Sequence, residues 1–188
     1  MAEPARRRMT FDEYLRWESE QEERHEFVDG ETILMVGAPA QHEFIIQNIA
    51  LSLGNQLRDS RCRVLGPSFK IRTAHSNIRY PDISVVCTPL PGRALYSSEP
   101  RVLFEVLSDS NTPRYMTRKM LDYASIPSLE RYLIVAQHAP KVESYSRREG
   151  EFVEDEDTLG LEAIIELPMI GARLPLAEIY RNVIFELG

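Results

Sequence analysis

Two apolar, strand-length segments, each interrupted by one carboxylate, constrain the fold of this chain more than any other feature. The first is Tyr80-Pro-Asp-Ile-Ser-Val-Val86 and the second is Arg101-Val-Leu-Phe-Glu-Val-Leu107. Both segments are typical of buried strands. Glu105 breaks the second apolar run, where an unpaired buried carboxylate would be strongly destabilising. The sequence therefore predicts a sheet core in which this carboxylate has a partner.

A hairpin-like arrangement of these two strands would bring their carboxylates together. If the strands pair antiparallel and symmetrically about the 88–99 loop, Asp82 lies directly opposite Glu105. Directly opposed side chains have Cβ atoms about 5 Å apart, and like charges there need neutralisation. Mg²⁺, or Mn²⁺ as a substitute, would provide it. The alternative is that Asp82 is an ordinary polar residue at a strand start and that Glu105 pairs with an arginine.

A lysine on the following helix is the third element of this candidate site. Ser110-Asn-Thr-Pro113 is typical of a capped helix start, and the pattern predicts a helix from there through Ala124. Lys119 has tyrosines four residues before and after it, so its stripe of the helix should face the protein. The ammonium could then reach the same carboxylates and stabilise charge on a phosphate. Lys70 is the competing cation, and a surface-directed Lys119 is the alternative.

The remaining patterns predict one α/β domain of mixed α+β type, spanning residues 1–188, with a central mixed sheet and helices on both faces. Residues 1–9 are expected to form a flexible N-terminus. Thr10-Phe-Asp-Glu13 has the spacing of a capping box, and Asp29-Gly30 is typical of a hairpin turn. Further helices are expected at 41–57 and 176–184, and further strands at 24–28, 32–36, 61–65, 69–73, 131–135, 141–146, 152–153 and 163–167.

Charge and cysteine content limit the function classes. The formal net charge of −7 argues against a generally basic nucleic-acid binder, yet residues 59–120 hold 10 basic and 5 acidic residues. That basic centre could face an anionic partner, or it could be a set of solvated strand edges. No segment has the length of a membrane span, and the start lacks an export signal. Cys62 and Cys87 are therefore expected to be reduced, structural residues of a cytoplasmic protein.

Several motifs together resemble one family. Pro81-Asp82, Glu105-Val-Leu-Ser108, Arg118-Lys119 and Arg131-Tyr-Leu-Ile-Val135 resemble the Uma-two-type restriction endonucleases of the PD-(D/E)XK nuclease superfamily. Arg24-His-Glu-Phe-Val-Asp-Gly-Glu31 is similar to the amino-terminal hairpin motif of that family. The resemblance covers most of the chain, and it implies a restriction-endonuclease-like fold.

The resemblance also implies roles for five residues. Asp82 and Glu105 would be the metal-binding carboxylates, and Lys119 would be the catalytic lysine. The usual superfamily lysine stands two residues after the glutamate, where this chain has Leu107. The catalytic lysine would thus have migrated to the next helix. Glu26 would be an accessory acidic residue, and His42 would assist nearby.

The leading hypothesis is a Mg²⁺-dependent endonuclease that hydrolyses DNA phosphodiester bonds. The rivals are a catalytically inactive binding or regulatory protein of the same fold and a metal-dependent hydrolase of a small phosphorylated or nucleotide substrate. A homodimer would double the basic surface and suit cleavage of both DNA strands. Serine-hydrolase, NTP-binding and NAD-binding motifs are missing from the sequence.

Overall fold

The computed structural model describes residues 8–108 and 112–185. Its α-helices are α1 (Phe11–Glu18), α2 (Ala40–Gln56), α3 (Pro113–Ala124) and α4 (Leu176–Ile179), with a 3₁₀ turn at Pro168–Ile170. Its strands are β1 (His25–Val28), β2 (Glu31–Leu34), β3 (Arg63–Leu65), β4 (Lys70–Arg72), β5 (Ile78–Arg79), β6 (Ile83–Val86), β7 (Tyr96–Ser97), β8 (Pro100–Val106), β9 (Arg131–Val135), β10 (Lys141–Arg148), β11 (Glu151–Glu154), β12 (Thr158–Leu159), β13 (Ile164–Leu167) and β14 (Ala172–Pro175). None of the helices in these ranges has the length and apolar character needed to cross a bilayer.

The largest sheet has seven strands in the order β11-β10-β9-β8-β6-β3, with β12 pairing to β10. Strands β8 and β9 are parallel and are connected through α3, whereas the other pairs are antiparallel. The expected register between β6 and β8 is confirmed, because Ile83 pairs with Phe104 and Val85 with Val102. A bulge then shifts the pairing by one residue, so that Val86 faces Pro100.

A second sheet of five strands has the order β2-β1-β5-β4-β7. The expected hairpin of β1 and β2 is confirmed, and Asp29 and Gly30 both have positive φ, as its two-residue turn requires. One central sheet had been expected to contain the strand at 69–73 as well. That expectation was wrong, because β4 pairs with β5 and β7 in this second sheet. The apolar pattern of a short strand does not specify its partner.

Helices cover both faces of the seven-stranded sheet, as predicted. On one face, α2 contributes Ile45, Ile49 and Leu53 to a core shared with the β13–β14 hairpin and α4. On the other face, α3 contributes Tyr123 to a core that includes Leu103 and Ile71. The seven-stranded sheet is therefore buried on both sides, which explains why its central strands are almost wholly apolar.

The two cysteines overturn one expectation. Cys62 and Cys87 form a disulfide, whereas reduced side chains had been expected. The physical reason is the register of β3 on β6: Arg63 pairs with Val86, so the residues just outside that pair face each other. The sequence separation of 25 residues gave no sign of this pairing.

Most helix boundaries follow their sequence signals. Thr10 caps α1 in a complete capping box, and Thr112 caps α3 with Pro113 in its first turn. The predicted helix start at Ser110-Asn111 and residues 1–7 of the expected flexible N-terminus (1–9) lie outside the described residues. Met9 donates its backbone N–H to the Gly30 carbonyl. The terminal helix is shorter than expected, since α4 ends at Ile179, and the strands β5, β7, β12 and β14 were not predicted.

Candidate active site

One cleft of about 330 Å³ lies where the start of β6 and the end of β8 approach β1, β2 and α3. Its lining includes every side chain that the sequence analysis singled out for catalysis, and these are Glu26, His42, Asp82, Glu105 and Lys119. They come from five different elements or connections that are distant along the chain. The fold therefore collects the predicted residues at one place.

Asp82 stands just before β6, opposite Glu105 in the confirmed register. Its Oδ2 accepts a 2.7 Å hydrogen bond from the backbone N–H of Val106. His42 lies beside Asp82 and Val106. Its Nε2 is 3.1 Å from the Val106 carbonyl and 3.4 Å from Asp82 Oδ2. The ring therefore fixes the position of Asp82. Burial opposes protonation of His42, but the neighbouring Asp82 carboxylate raises the pKa of the imidazole.

Glu105 is buried and is held by two donors. The Lys119 ammonium lies 2.8 Å from Oε2, and the Tyr123 hydroxyl donates to Oε1 at 2.7 Å. Burial raises the pKa of Glu105 to about 7 in spite of the Lys119 charge, and the nearby Asp82 charge acts in the same direction as burial. Glu105 thus has the environment of a carboxylate that needs positive charge to stay ionised.

Lys119 lies on the inward face of α3, as the tyrosine spacing predicted. Its Nζ lies between two carboxylates, at 2.8 Å from Glu105 and 3.6 Å from Glu26. The Tyr115 ring covers it at 5.3 Å. Burial alone would lower the pKa of this lysine, but the charges of Glu105 and Glu26 raise that pKa well above its usual value. The side chain is therefore a permanent cation in the cleft.

The competing cation, Lys70, has a different environment. Its Nζ lies 2.8 Å from Glu18 and 5.4 Å from the centre of the Tyr80 ring. Among the described residues, the cleft lining includes Lys119 and not Lys70. Between the two lysines, the geometry therefore favours Lys119.

Glu26 lies on β1 and is fully buried. The Arg79 guanidinium and the Tyr115 hydroxyl both donate to its Oε2, the latter at 2.8 Å. Burial would raise the pKa of Glu26, but the Lys119 and Arg79 charges lower it below its usual value. Glu26 is thus ionised and held in place beside Lys119.

Arg79 and Asp122 are site-supporting residues that the sequence analysis missed. Arg79 is fully buried and donates from Nε and Nη2 to Asp122 Oδ2 at 2.8 and 2.6 Å. Asn77 donates to the other Asp122 oxygen at 3.0 Å. An arginine in a basic segment is usually solvated, so its residue type gives no sign of burial. The position of Asp122 three residues after Lys119, on the same helical face, was the signal available.

The residues fit a hard divalent cation in charge and in donor type. When ionised, the four carboxylates of Glu26, Asp82, Glu105 and Asp122 carry four negative charges. Arg79 and Lys119 carry two positive charges, so the cluster has a net charge of two negative units. Carboxylate oxygens and the Val106 carbonyl are the ligands that Mg²⁺ prefers. No group of three or more acidic, histidine or cysteine side chains in the described ranges is arranged as a metal cluster. Asp82 and Glu105 would therefore have to be supplemented by water or substrate oxygens.

The comparisons with known proteins agree with this fold. A crystal structure described as a "putative nuclease belonging to DUF820" from Anabaena variabilis matches with a TM-score of 0.75 over 92% of this chain and 97% of that chain. The sequences are 17% identical, so the match concerns the fold. The two chains thus share one mixed α+β fold.

The family follows from the sequence. The model of the Uma2 family, described as "Putative restriction endonuclease", matches residues 11–177, and the chain belongs to this family. Two uncharacterized Synechocystis proteins are related. One, slr1290, is 30% identical over 93% of this chain and 92% of its own length. The other, sll1609, is 29% identical over 74% and 81%. Family membership supports a nuclease in general.

Proposed function

We propose that this protein is a Mg²⁺-dependent endonuclease that hydrolyses phosphodiester bonds in DNA. The observation that carries the proposal is the convergence of Asp82, Glu105 and Lys119 in one cleft, with the ammonium 2.8 Å from Glu105. Two opposed carboxylates and a buried cation are what metal-assisted attack on a phosphate needs. Membership of the Uma2 family supports the same reaction class.

Each residue of the cleft has a proposed role. Asp82 and Glu105 would hold the ion, which supplies charge neutralisation at the scissile phosphate and lowers the pKa of a bound water. Lys119 stabilises negative charge that develops on the phosphate oxygens. Glu26 keeps Lys119 charged and in place, and His42 orients Asp82 through the contacts at Val106.

Metal titration calorimetry and a plasmid cleavage assay test the proposal. We expect Mg²⁺ or Mn²⁺ to bind the wild-type protein and to support nicking or linearisation of supercoiled DNA. Asp82→Asn should abolish both. The matched control is Asp59→Asn, because Asp59 is exposed and does not line the cleft.

The outcomes separate the rival functions. A wild-type protein that binds neither metal would leave the inactive binding or regulatory protein of the same fold. Metal-dependent hydrolysis of nucleotides, without cleavage of plasmid or single-stranded DNA, would leave the small-substrate hydrolase. Sedimentation analysis with and without DNA would test the predicted homodimer, which would place two clefts on one duplex.

A further inference from the structure

A second cleft, of about 530 Å³, lies at the opposite end of β6 and β8 from the candidate active site. Three arginines line it together with Cys87 and the segment 88–90, and these arginines are Arg61, Arg63 and Arg101. Within the described ranges, no carboxylate belongs to this lining. We call this place the arginine cleft.

The backbone orients one arginine of this cleft directly. Arg63 Nη1 donates to the carbonyls of Ser60 and Cys62, both at 2.9 Å, which leaves other guanidinium donors for a ligand. Arg101 lies at the bulge between β6 and β8, and bulges change the direction of a side chain. The Cys62–Cys87 disulfide links the residue between Arg61 and Arg63 to Cys87, which lines the cleft.

The charges of the arginine cleft are less compensated than those of the cations that contact buried carboxylates. Lys70, Arg79 and Lys119 each form an ion pair with a buried carboxylate. Arg101 pairs with the partly exposed Glu130, but neither Arg61 nor Arg63 forms an ion pair with any described residue. Arg61 and Arg63 are also exposed. In a chain with net charge −7, a concave cluster of unpaired guanidinium groups should attract anions.

We propose that the arginine cleft binds backbone phosphates of the DNA that the active-site cleft cleaves. This inference rests on the proposed function, which supplies the nucleic acid. Guanidinium groups bind phosphate oxygens in a bidentate manner. Along β8, Arg101 and Glu105 are separated by about 13 Å, a distance that a duplex spans in about four base pairs. The contact therefore lies outside the reacting phosphodiester and contributes affinity without taking part in the chemistry.

Salt-dependent DNA binding tests the inference without any turnover. Fluorescence anisotropy with a labelled 30-base-pair duplex in EDTA would give Kd between 50 and 200 mM salt. A plot of the logarithm of the association constant against the logarithm of the salt concentration has a negative slope. For the double variant Arg61→Gln/Arg63→Gln, the steepness of that slope should decrease by about 1.8, since each phosphate contact contributes roughly 0.9. The single variant Arg61→Gln should lose about half of that.

The matched control is the double variant Arg16→Gln/Arg173→Gln, which removes the same charge from exposed positions on α1 and β14. Its slope should stay within error of the wild type. Circular dichroism and the melting temperature check that each variant is folded. Arg61→Gln keeps the test decisive if the double variant unfolds, because Arg61 makes no hydrogen bond within the described residues. Equal slopes for the cleft and control variants would overturn the inference.

Two further arms separate this inference from the proposed function and from a small-anion site. DNA binding that depends on the arginine cleft, in a protein that cleaves no DNA with Mg²⁺, would support phosphate binding by the arginine cleft but contradict the proposed nuclease and, with it, the link between the two clefts. A wild-type protein that binds no DNA would overturn the inference. Calorimetry with inorganic phosphate tests whether the arginine cleft instead binds a small free anion. Cleft-dependent binding of phosphate combined with cleft-independent binding of DNA would also overturn it.

Discussion

The two ends of β6 and β8 differ in whether their charged side chains are buried and paired. At one end, the active-site cleft contains buried charges, each of which contacts an opposite charge or a hydrogen-bond donor. At the other end, the arginine cleft contains exposed guanidinium groups, two of which have no ion-pair partner among the described residues. Buried charges require partners because their desolvation is costly, whereas exposed charges do not. The first end is therefore suited to positioning a reaction, and the second is suited to collecting a charged ligand.

The largest expected effect separates the two lysines of the buried region. Lys119→Met should lower kcat for DNA cleavage by at least about 100-fold, because a preorganised positive charge near the phosphate is lost. Lys70→Met should leave kcat at the wild-type value, since Lys70 contacts Glu18 rather than Glu105. Single-turnover cleavage of DNA, under conditions where both variants are folded, compares their cleavage rates with that of the wild type. The opposite pattern would assign the catalytic role to Lys70.

A comparison of arginine substitutions at the two ends tests how much the burial of charge matters. Arg79→Met leaves Asp122 without its ion-pair partner and Glu26 with Lys119 as its remaining cation, so the free energy of unfolding should fall by about 3–5 kcal/mol. Arg61→Gln removes an exposed charge and should change it by less than about 0.5 kcal/mol. Urea denaturation with both variants gives the two values. Similar losses for the two variants would contradict the contrast drawn between the clefts.

The disulfide should contribute stability at the arginine-cleft end. It closes a loop with a sequence separation of 25 residues, and a loop of that size corresponds to roughly 3 kcal/mol of unfolding free energy. We expect dithiothreitol to lower the urea midpoint of the wild type. The variant Cys62→Ser/Cys87→Ser should start at the lower midpoint and show no response to the reductant. A wild-type midpoint that is insensitive to complete reduction would show that the bond does not stabilise the fold.

A pH dependence of stability is expected at the active-site end alone. The pKa of Glu105 is about 7 in the folded protein, above its ordinary value of 4.5. Between those two values the folded state binds more protons than the unfolded state, so the contribution of Glu105 to stability falls as pH rises from about 4.5 to 7. Glu105→Gln should flatten this part of the stability curve. Arg61→Gln should leave the curve unchanged in shape, and a curve unaltered by Glu105→Gln would contradict the raised pKa.

Particular residues show how far the sequence predicts this molecule. The symmetric register about the 88–99 loop is confirmed by the pairing of Ile83 with Phe104, the residues next to Asp82 and Glu105, because antiparallel strands joined by one loop pair outward from that loop. The tyrosines flanking Lys119 correctly predicted an inward-facing lysine, because the helical period fixes which residues share a face. The roles of these residues in metal binding and catalysis stay predictions.

Other residues show where local patterns fail. Arg79 belongs to the basic segment 59–120 that was expected to meet an anionic partner or to form solvated strand edges, yet it is fully buried between Glu26 and Asp122. The cysteines looked reduced, yet the pairing of β3 with β6 brings them together. In both cases the decisive neighbour lies far along the chain. Residue type and spacing contain no information about such a neighbour.

The sequence by itself determined the elements whose signals are local, which are the capping box at Thr10, the turn at Asp29-Gly30 and the helix that carries Lys119. It also determined, through family membership, that the chain is of the nuclease class. Only the tertiary structure decided that there are two main sheets, which cation contacts Glu105, and that unpaired arginines gather at the far end of β6 and β8. The physical reason is that backbone preferences act between near neighbours, whereas the environment of a charge depends on long-range packing.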